Sequence, residues 1–210
     1  MEYLISALIG YLLGSFPTGY LLVKSSKGSD ITKEGSGNVG ALNSFEVSKS
    51  KLLGISVLFI DLIKGALAVL LPIILFPQVF IYPAVSLIFA LFSHCFNPWL
   101  KLKGGRGLAT AAGGMIVIFP YLLVIWCLIW VIFYVMRKNI HVANIAATIF
   151  SIIVIFGTSG LATKYANPVP QNISELLITA SIALIIILVR HIDPLIEIIS
   201  SIKTNRKSAR

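Results

Sequence analysis

The chain has 210 residues, of which 57% are hydrophobic and 12% charged, and its mean hydropathy is +0.94. A soluble domain carries about 25% charged residues, so a water-exposed globular fold is excluded. The net charge of +9, from 17 Lys and Arg against 8 Asp and Glu, reads as basic loops beside anionic lipid rather than as a nucleic-acid surface.

Apolar blocks near twenty residues long recur at 3–23, 52–76, 79–98, 142–163 and 173–189, which is the pattern of spanning helices. The first block opens on Met1-Glu2-Tyr3, without a positively charged start, and 20–24 offers no small-residue cleavage site. It is therefore expected to stay as a span rather than be removed as a signal peptide. Pro17, inside Gly14-Ser15-Phe16-Pro17-Thr18-Gly19, is expected to kink it.

Just before the second block runs Gly35-Ser36-Gly37-Asn38-Val39-Gly40-Ala41-Leu42-Asn43. Glycines at 35, 37 and 40 free the backbone for left-handed turns, and successive N–H groups in such turns make an anion nest. Ser36, Asn38 and Asn43 add side-chain donors. The bland alternative is a flexible Gly/Ser linker. Inside the second block, Asp61 and Lys64 lie three residues apart on one helix face and can pair. Ionisable groups at that depth serve function or a satisfied structural pair. His94, at the end of the third block beside Asn97 and Pro98, can be a base, an anion ligand or a packed polar residue.

Next comes Lys101-Leu102-Lys103-Gly104-Gly105-Arg106-Gly107-Leu108-Ala109-Thr110. A glycine-rich turn running into a helix start suits phosphate, and its cations add charge-assisted hydrogen bonds. The GK[ST] ending of a P-loop is missing, and the plain alternative is a basic loop that fixes topology. The stretch 107–136 is 30 residues long and broken by Pro120. One helix of that length would run about 45 Å, and two would each be about half the usual span. Arg190-His191-Ile192-Asp193-Pro194 closes the last block, where Arg190 and His191 can simply complement the helix dipole.

Positive charge sets the expected topology. Lys24, Lys27, Lys33, Lys49 and Lys51 precede the second block, and Lys101, Lys103 and Arg106 follow the third. Arg137 and Lys138 sit between the later blocks, and Arg190, Lys203, Arg206, Lys207 and Arg210 follow the last. If all face the cytoplasm, 107–136 crosses twice. That predicts an all-α membrane protein of about seven helices, N-terminus outside and C-terminus inside. Residues 1–210 form one membrane domain with a basic tail from about 190. Short or broken helices are expected around the glycine-rich motifs, where they line a site and not lipid. Cys95 and Cys127 lie in apolar surroundings and suggest neither a disulfide nor a metal site.

These motifs, in this order, resemble the acyl-phosphate-dependent glycerol-3-phosphate acyltransferase family of bacterial membranes, often called PlsY. The likeness runs from Gly14–Leu22 through Gly35–Ala41, Asp61–Ala66 and His94 to Lys101–Thr110. It implies seven transmembrane helices in the cell inner membrane, with an active site facing the cytoplasm. The implied reaction moves a fatty acyl group from acyl phosphate to the 1-hydroxyl of glycerol 3-phosphate. The products would be lysophosphatidic acid and phosphate, without metal or organic cofactor. The partners implied are those two substrates, the bilayer and the enzyme that makes acyl phosphate. Carried over, Ser36 and Asn38 would hold the acceptor. Lys103, Gly104, Gly105 and Arg106 would hold phosphate and neutralise charge on the leaving group. Ser36, Lys103 and Arg106 are the expected catalytic residues. Gly35, Gly37, Asn43, His94 and Gly107 are expected substrate contacts, as are His141, Asn144 and His191.

The chain departs from the family pattern at three places. Glu46 stands where an Arg usually follows the first motif. His141 and Asn144 occupy the stretch after Arg137 that usually carries serines. Pro194 replaces an Asn three residues after His191 and has no side-chain donor. These changes admit a divergent relative with a changed acceptor or no activity. A small transporter or lipid-binding protein would draw on the Asp61–Lys64 pair and the broken helices. The lack of internal repeats speaks against that reading.

Overall fold

The computed structural model describes residues 1–196 and 198–200. The basic residues Lys203, Arg206, Lys207 and Arg210 lie outside the described residues. The regular elements are all helical among those described: α1 (Glu2–Ser15), α2 (Thr18–Lys27), α3 (Ala41–Ser48), α4 (Lys51–Leu75), α5 (Ile81–Cys95), α6 (Leu108–Ile118), α7 (Pro120–Arg137), α8 (Ile140–Gly157), α9 (Ser159–Lys164) and α10 (Ile173–Val189).

Five stretches are long and apolar enough to cross a bilayer: Glu2–Lys27, α4, Ile81–Leu100, α7 and α8. A sixth arises when α10 is counted with the helical residues beyond the 57° bend that follows it. The region 107–136 is two helices, as its proline suggests, but the division is unequal. α6 has 11 residues and α7 has 18. At 1.5 Å per residue α6 is about 16 Å long, roughly half a hydrocarbon core. The break falls at Phe119, whose ψ of 53° is not helical, before Pro120 at the first position of α7. Proline disfavours helix in the residue before it and suits a helix start. Pro17 acts likewise: α1 ends at Ser15 and α2 begins at Thr18, so the helical hydrogen bonding is interrupted there while Glu2–Lys27 remains one span, in keeping with the expected kink.

The surface is inverted relative to a water-soluble fold. Leu128, Val131 and Val135 of α7 are exposed, and Leu122 is the one buried residue of that helix. Ser6, Thr18, Ser93, Thr148 and Ser151 are buried. Small residues let the inner helices touch, as expected where lipid gives no hydrophobic drive between helices. Gly10 and Gly14 of α1 lie directly on the Ser86 and Ala90 carbonyls of α5. Gly65 of α4 lies on the Thr110 carbonyl of α6, and Gly113 of α6 lies on the Leu62 carbonyl of α4. A Cβ at any of these positions would overlap backbone. The short helix α6 is thereby fixed to α4, and its N-terminus marks where the polar loops gather.

Candidate active site

The loop between α2 and α3 is a built structure and not a linker. Ile31 and Val39 are buried with Val23, Leu53 and Val57, which anchors the loop on α2 and α4. Asp30 opens a short 3-10 turn, accepting from the Thr32 amide at 3.0 Å and from its hydroxyl at 2.7 Å. The Thr32 hydroxyl hydrogen bond, with Lys33 nearby, holds the Asp30 carboxyl below the usual range. Gly35 and Gly37 have φ of 56° and 69°, a left-handed conformation that a side chain would strain. Asn43 then closes the loop. Its Oδ1 accepts from the Ser36 amide at 3.0 Å, and its Nδ2 donates to the Glu34 and Asn38 carbonyls at 3.1 and 2.8 Å. Asn43 is buried, and its hydrogen bonding is spent on the backbone around it.

The second glycine-rich loop rests on a platform at the end of α5. Leu102 and Lys103 donate from their amides to the Asn97 and Leu100 carbonyls, and Lys101 and Leu102 adopt positive φ. Gly104 lies against the His94 and Cys95 carbonyls, and Gly105 lies against the His94 ring. The Gly105 amide donates to the His94 carbonyl at 3.1 Å. Neither position has room for a Cβ.

Beneath this platform the Asp61–Lys64 pair expected from the sequence is present at 2.9 Å and buried. The Lys64 ammonium also donates to His94 Nδ1 at 2.9 Å and to the Phe16 carbonyl at 3.0 Å. Because an ammonium can only donate, His94 Nδ1 is the acceptor and the His94 proton lies on Nε2, the atom facing Gly105. The neighbouring Ser15 carbonyl accepts from Asn97 Nδ2 at 2.7 Å. Side chains from α4 and from the exit of α5 therefore satisfy the carbonyls that the Pro17 break leaves without helical partners.

Two cavities open where the loops meet. The larger, about 310 Å³, is polar and lined by Ser36, Gly37, Asn38, Lys103, Arg106 and Arg190 together with Asp193 and Pro194. The smaller, about 210 Å³, is mostly apolar, with Leu42, Leu58, Leu108 and Ile140 beside His94, His141 and Asn144. Asn38 and Arg106 line both. Lys103 Nζ reaches the Thr32 carbonyl at 3.4 Å, and Arg106 Nη1 lies 3.3 Å from His141 Nδ1. A cationic chamber and an apolar one therefore share a wall that contains a guanidinium.

Of the residues singled out from the sequence, Ser36, Gly37, Asn38, His94, Lys103, Arg106, Gly107, His141 and Asn144 line these cavities. Gly35, Asn43, Gly104, Gly105 and His191 do not; they shape what lies behind the walls. His191 is buried, its Nδ1–H directed to the Ile187 carbonyl at 2.8 Å and its Nε2 facing Asn144 Nδ2 at 3.4 Å. Trp130 Nε1 donates to Asn144 Oδ1 at 2.7 Å, so Asn144 is oriented from two sides. Glu46 is exposed on α3 and lines neither cavity. Sequence reasoning left Arg190 out of the expected site residues, reading it as a complement to its helix dipole and as one of the cations that set the topology. Its side chain instead crosses to the second loop, donating from Nε to the Gly105 carbonyl and from Nη2 to the Gly104 carbonyl, each at 3.1 Å. The 85-residue separation from Gly105 hides that partnership.

Fold and site together define a helical integral membrane protein with a basic, glycine-walled cleft beside an apolar chamber. A family model described as glycerol-3-phosphate acyltransferase matches residues 4–201. The chain is 39% identical over 164 residues to the glycerol-3-phosphate acyltransferase of Myxococcus xanthus (strain DK1622), covering 76% of this chain and 82% of that one. It is 34% identical over 149 residues to that of Bacillus subtilis (strain 168), covering 71% and 76%. The crystal structure of PlsY, an integral membrane glycerol 3-phosphate acyltransferase in its glycerol 3-phosphate form, superposes with a TM-score of 0.79. The match covers 96% of this chain and 94% of that chain, at 26% identity. The chain belongs to the glycerol-3-phosphate acyltransferase family.

Proposed function

We propose that this acyltransferase moves a fatty acyl group from an acyl phosphate to glycerol 3-phosphate in the cleft between the two glycine-rich loops. The observation that carries the reading is the shared wall. A polar chamber with Lys103, Arg106 and Arg190 suits phosphate, and the apolar chamber beside it suits the start of an acyl chain. Asn38 and Arg106 stand where the acyl carbonyl and its phosphate would meet.

The chemistry needs no covalent enzyme intermediate. The 1-hydroxyl oxygen of glycerol 3-phosphate attacks the acyl carbonyl carbon, the carbon–oxygen bond to phosphate breaks, and phosphate leaves with the hydroxyl proton. Negative charge grows on the departing phosphate, where Lys103 and Arg106 neutralise it. Preorganised donors of this kind are worth about 10²–10³-fold in rate each. Ser36 and Asn38 orient the acceptor, and His141 and Asn144 border the donor side. Asn43, Gly35, Gly104, Gly105 and His191 act by holding these walls in place. The products are lysophosphatidic acid, which enters phospholipid synthesis, and phosphate.

We place the cleft on the cytoplasmic side of the cell inner membrane. In support, hydrogen bonds join four separate basic segments at this one place: Lys103 to Thr32, Arg106 to His141, and Arg190 to Gly104 and Gly105. Basic segments that converge are retained on one side, which is the cytoplasmic one. A cytoplasmic site also suits supply of the donor by the enzyme that makes acyl phosphate.

The test uses purified protein with palmitoyl phosphate, with and without glycerol 3-phosphate. The expected result is phosphate release that depends on the acceptor, matched by lysophosphatidic acid. Folded protein that releases no phosphate, or releases it without forming lysophosphatidic acid, would refute the reading.

A further inference from the structure

We propose that Arg190 is a positioning residue for acyl transfer: it fixes which way the Gly104–Arg106 peptide groups face, and so aims the loop's donors at the acyl phosphate. The proposal rests on reading that loop as the grip on the donor's phosphate. Arg190 follows α10 immediately, at the opposite end of the sequence from the first loop and 85 residues from Gly105. Its planar guanidinium gives Nε to the Gly105 carbonyl and Nη2 to the Gly104 carbonyl, both at 3.1 Å. Two donors in one rigid plane thus meet two successive carbonyls, a match that the single ammonium of lysine cannot copy. The guanidinium carbon also sits 5.5 Å from the Phe96 ring centre, just beyond α5. The side chain is therefore held by the loop and by the platform under it.

The consequence follows from peptide geometry. In a trans peptide the C=O and N–H point in opposite directions. The Gly104–Gly105 peptide is fixed at both ends, its carbonyl on Arg190 and its amide on the His94 carbonyl. In the Gly105–Arg106 peptide the carbonyl is on Arg190, so the Arg106 amide is directed away from the Arg190 side. Glycine at 104 and 105 is required because the loop lies directly on His94 and Cys95. The His94 carbonyl holds the first of these peptides by its amide, but without Arg190 the Gly105–Arg106 peptide could rotate and turn its carbonyl dipole toward a phosphate. Arg190 removes that freedom and adds its own charge to the wall it shares with Lys103 and Arg106.

The experiment measures steady-state turnover of palmitoyl phosphate with glycerol 3-phosphate by purified Arg190→Ala, Arg190→Lys and Arg106→Ala. Arg190→Ala is expected to lose roughly 100-fold in kcat, the scale of a small misplacement of reacting groups. Arg190→Lys, which keeps the charge but not the fork, is expected to retain less than about a tenth of the rate. Methylguanidinium added to Arg190→Ala is expected to restore part of the lost rate and to leave the wild type unaffected, an effect that a merely structural role would not give. Should alanine prevent folding, Arg190→Lys carries the same test. Wild-type kcat in either folded Arg190 variant would overturn the proposal. So would a loss in Arg190→Ala that methylguanidinium leaves unchanged. Arg106→Ala separates the two readings. If it too turns over normally, the phosphate grip itself is wrong; if it alone fails, only the role of Arg190 falls.

Discussion

The loop at 34–43 is held from within, and the loop at 101–107 is held from far along the chain. In the first, Asn43 satisfies three backbone groups that lie five to nine residues away. In the second, the His94 platform lies near in sequence, but the carbonyls are fixed by Arg190, 85 and 86 residues distant. The difference matters for assembly. The first loop can take its shape once α2, α3 and α4 have packed. The second needs α10 in place, so this wall of the polar cavity is complete only when Arg190, at the end of α10, has joined the bundle. Both loops contribute residues to one polar cavity, yet they depend on different parts of the fold.

This contrast can be broken from beneath. Lys64 supports the second loop through His94 and also closes the Phe16 carbonyl at the break of the first span. Lys64→Met leaves Asp61 buried without its partner and is expected to cost about 3–5 kcal/mol in stability. Thermal unfolding in detergent should show a lowered Tm, with the double variant Asp61→Asn/Lys64→Met recovering part of it. A single variant as stable as wild type would mean that the pair supports neither loop.

A smaller effect sharpens the comparison from the other side. Asn43→Ala strands the Ser36 amide and the Glu34 and Asn38 carbonyls, at an expected cost of about 1–3 kcal/mol. On the proposed role of Ser36 and Asn38 in holding the acceptor, KM for glycerol 3-phosphate should rise more than KM for palmitoyl phosphate. Equal rises for both substrates would show that the first loop is not specific to the acceptor.

The same contrast explains what could be read from the sequence. The spans were legible because lipid demands long apolar blocks, and the breaks were legible because Pro17 and Pro120 interrupt them. The Asp61–Lys64 pair was legible because a three-residue spacing on a helix brings two side chains together. Its further partners, His94 and the Phe16 carbonyl, lie 30 and 48 residues from Lys64 and follow only from how α1, α4 and α5 pack. The two glycine-rich segments suggested polar, anion-suited loops by composition, and the structure brings residues of both to one polar cavity. Composition did not reveal which polar residues face the cleft and which stand behind it. Asn43 and His191 have the chemistry of ligands, but burial has committed their hydrogen bonds to backbone and to Asn144. Arg190 lay next to an expected site residue, and nothing in its neighbourhood pointed to Gly104. The unequal division into α6 and α7 is likewise a packing result, since Gly65 and Gly113 tie the short helix to α4.

The central claim is that the two loops act on one substrate complex. A double-mutant cycle on kcat/KM, with Ser36→Ala in the first loop and Lys103→Ala in the second, tests it most directly. The account predicts that the losses are not additive, with a coupling above about 0.5 kcal/mol, as expected for residues acting in one network. Losses that add to within about 0.3 kcal/mol, the behaviour of independent sites, would contradict it.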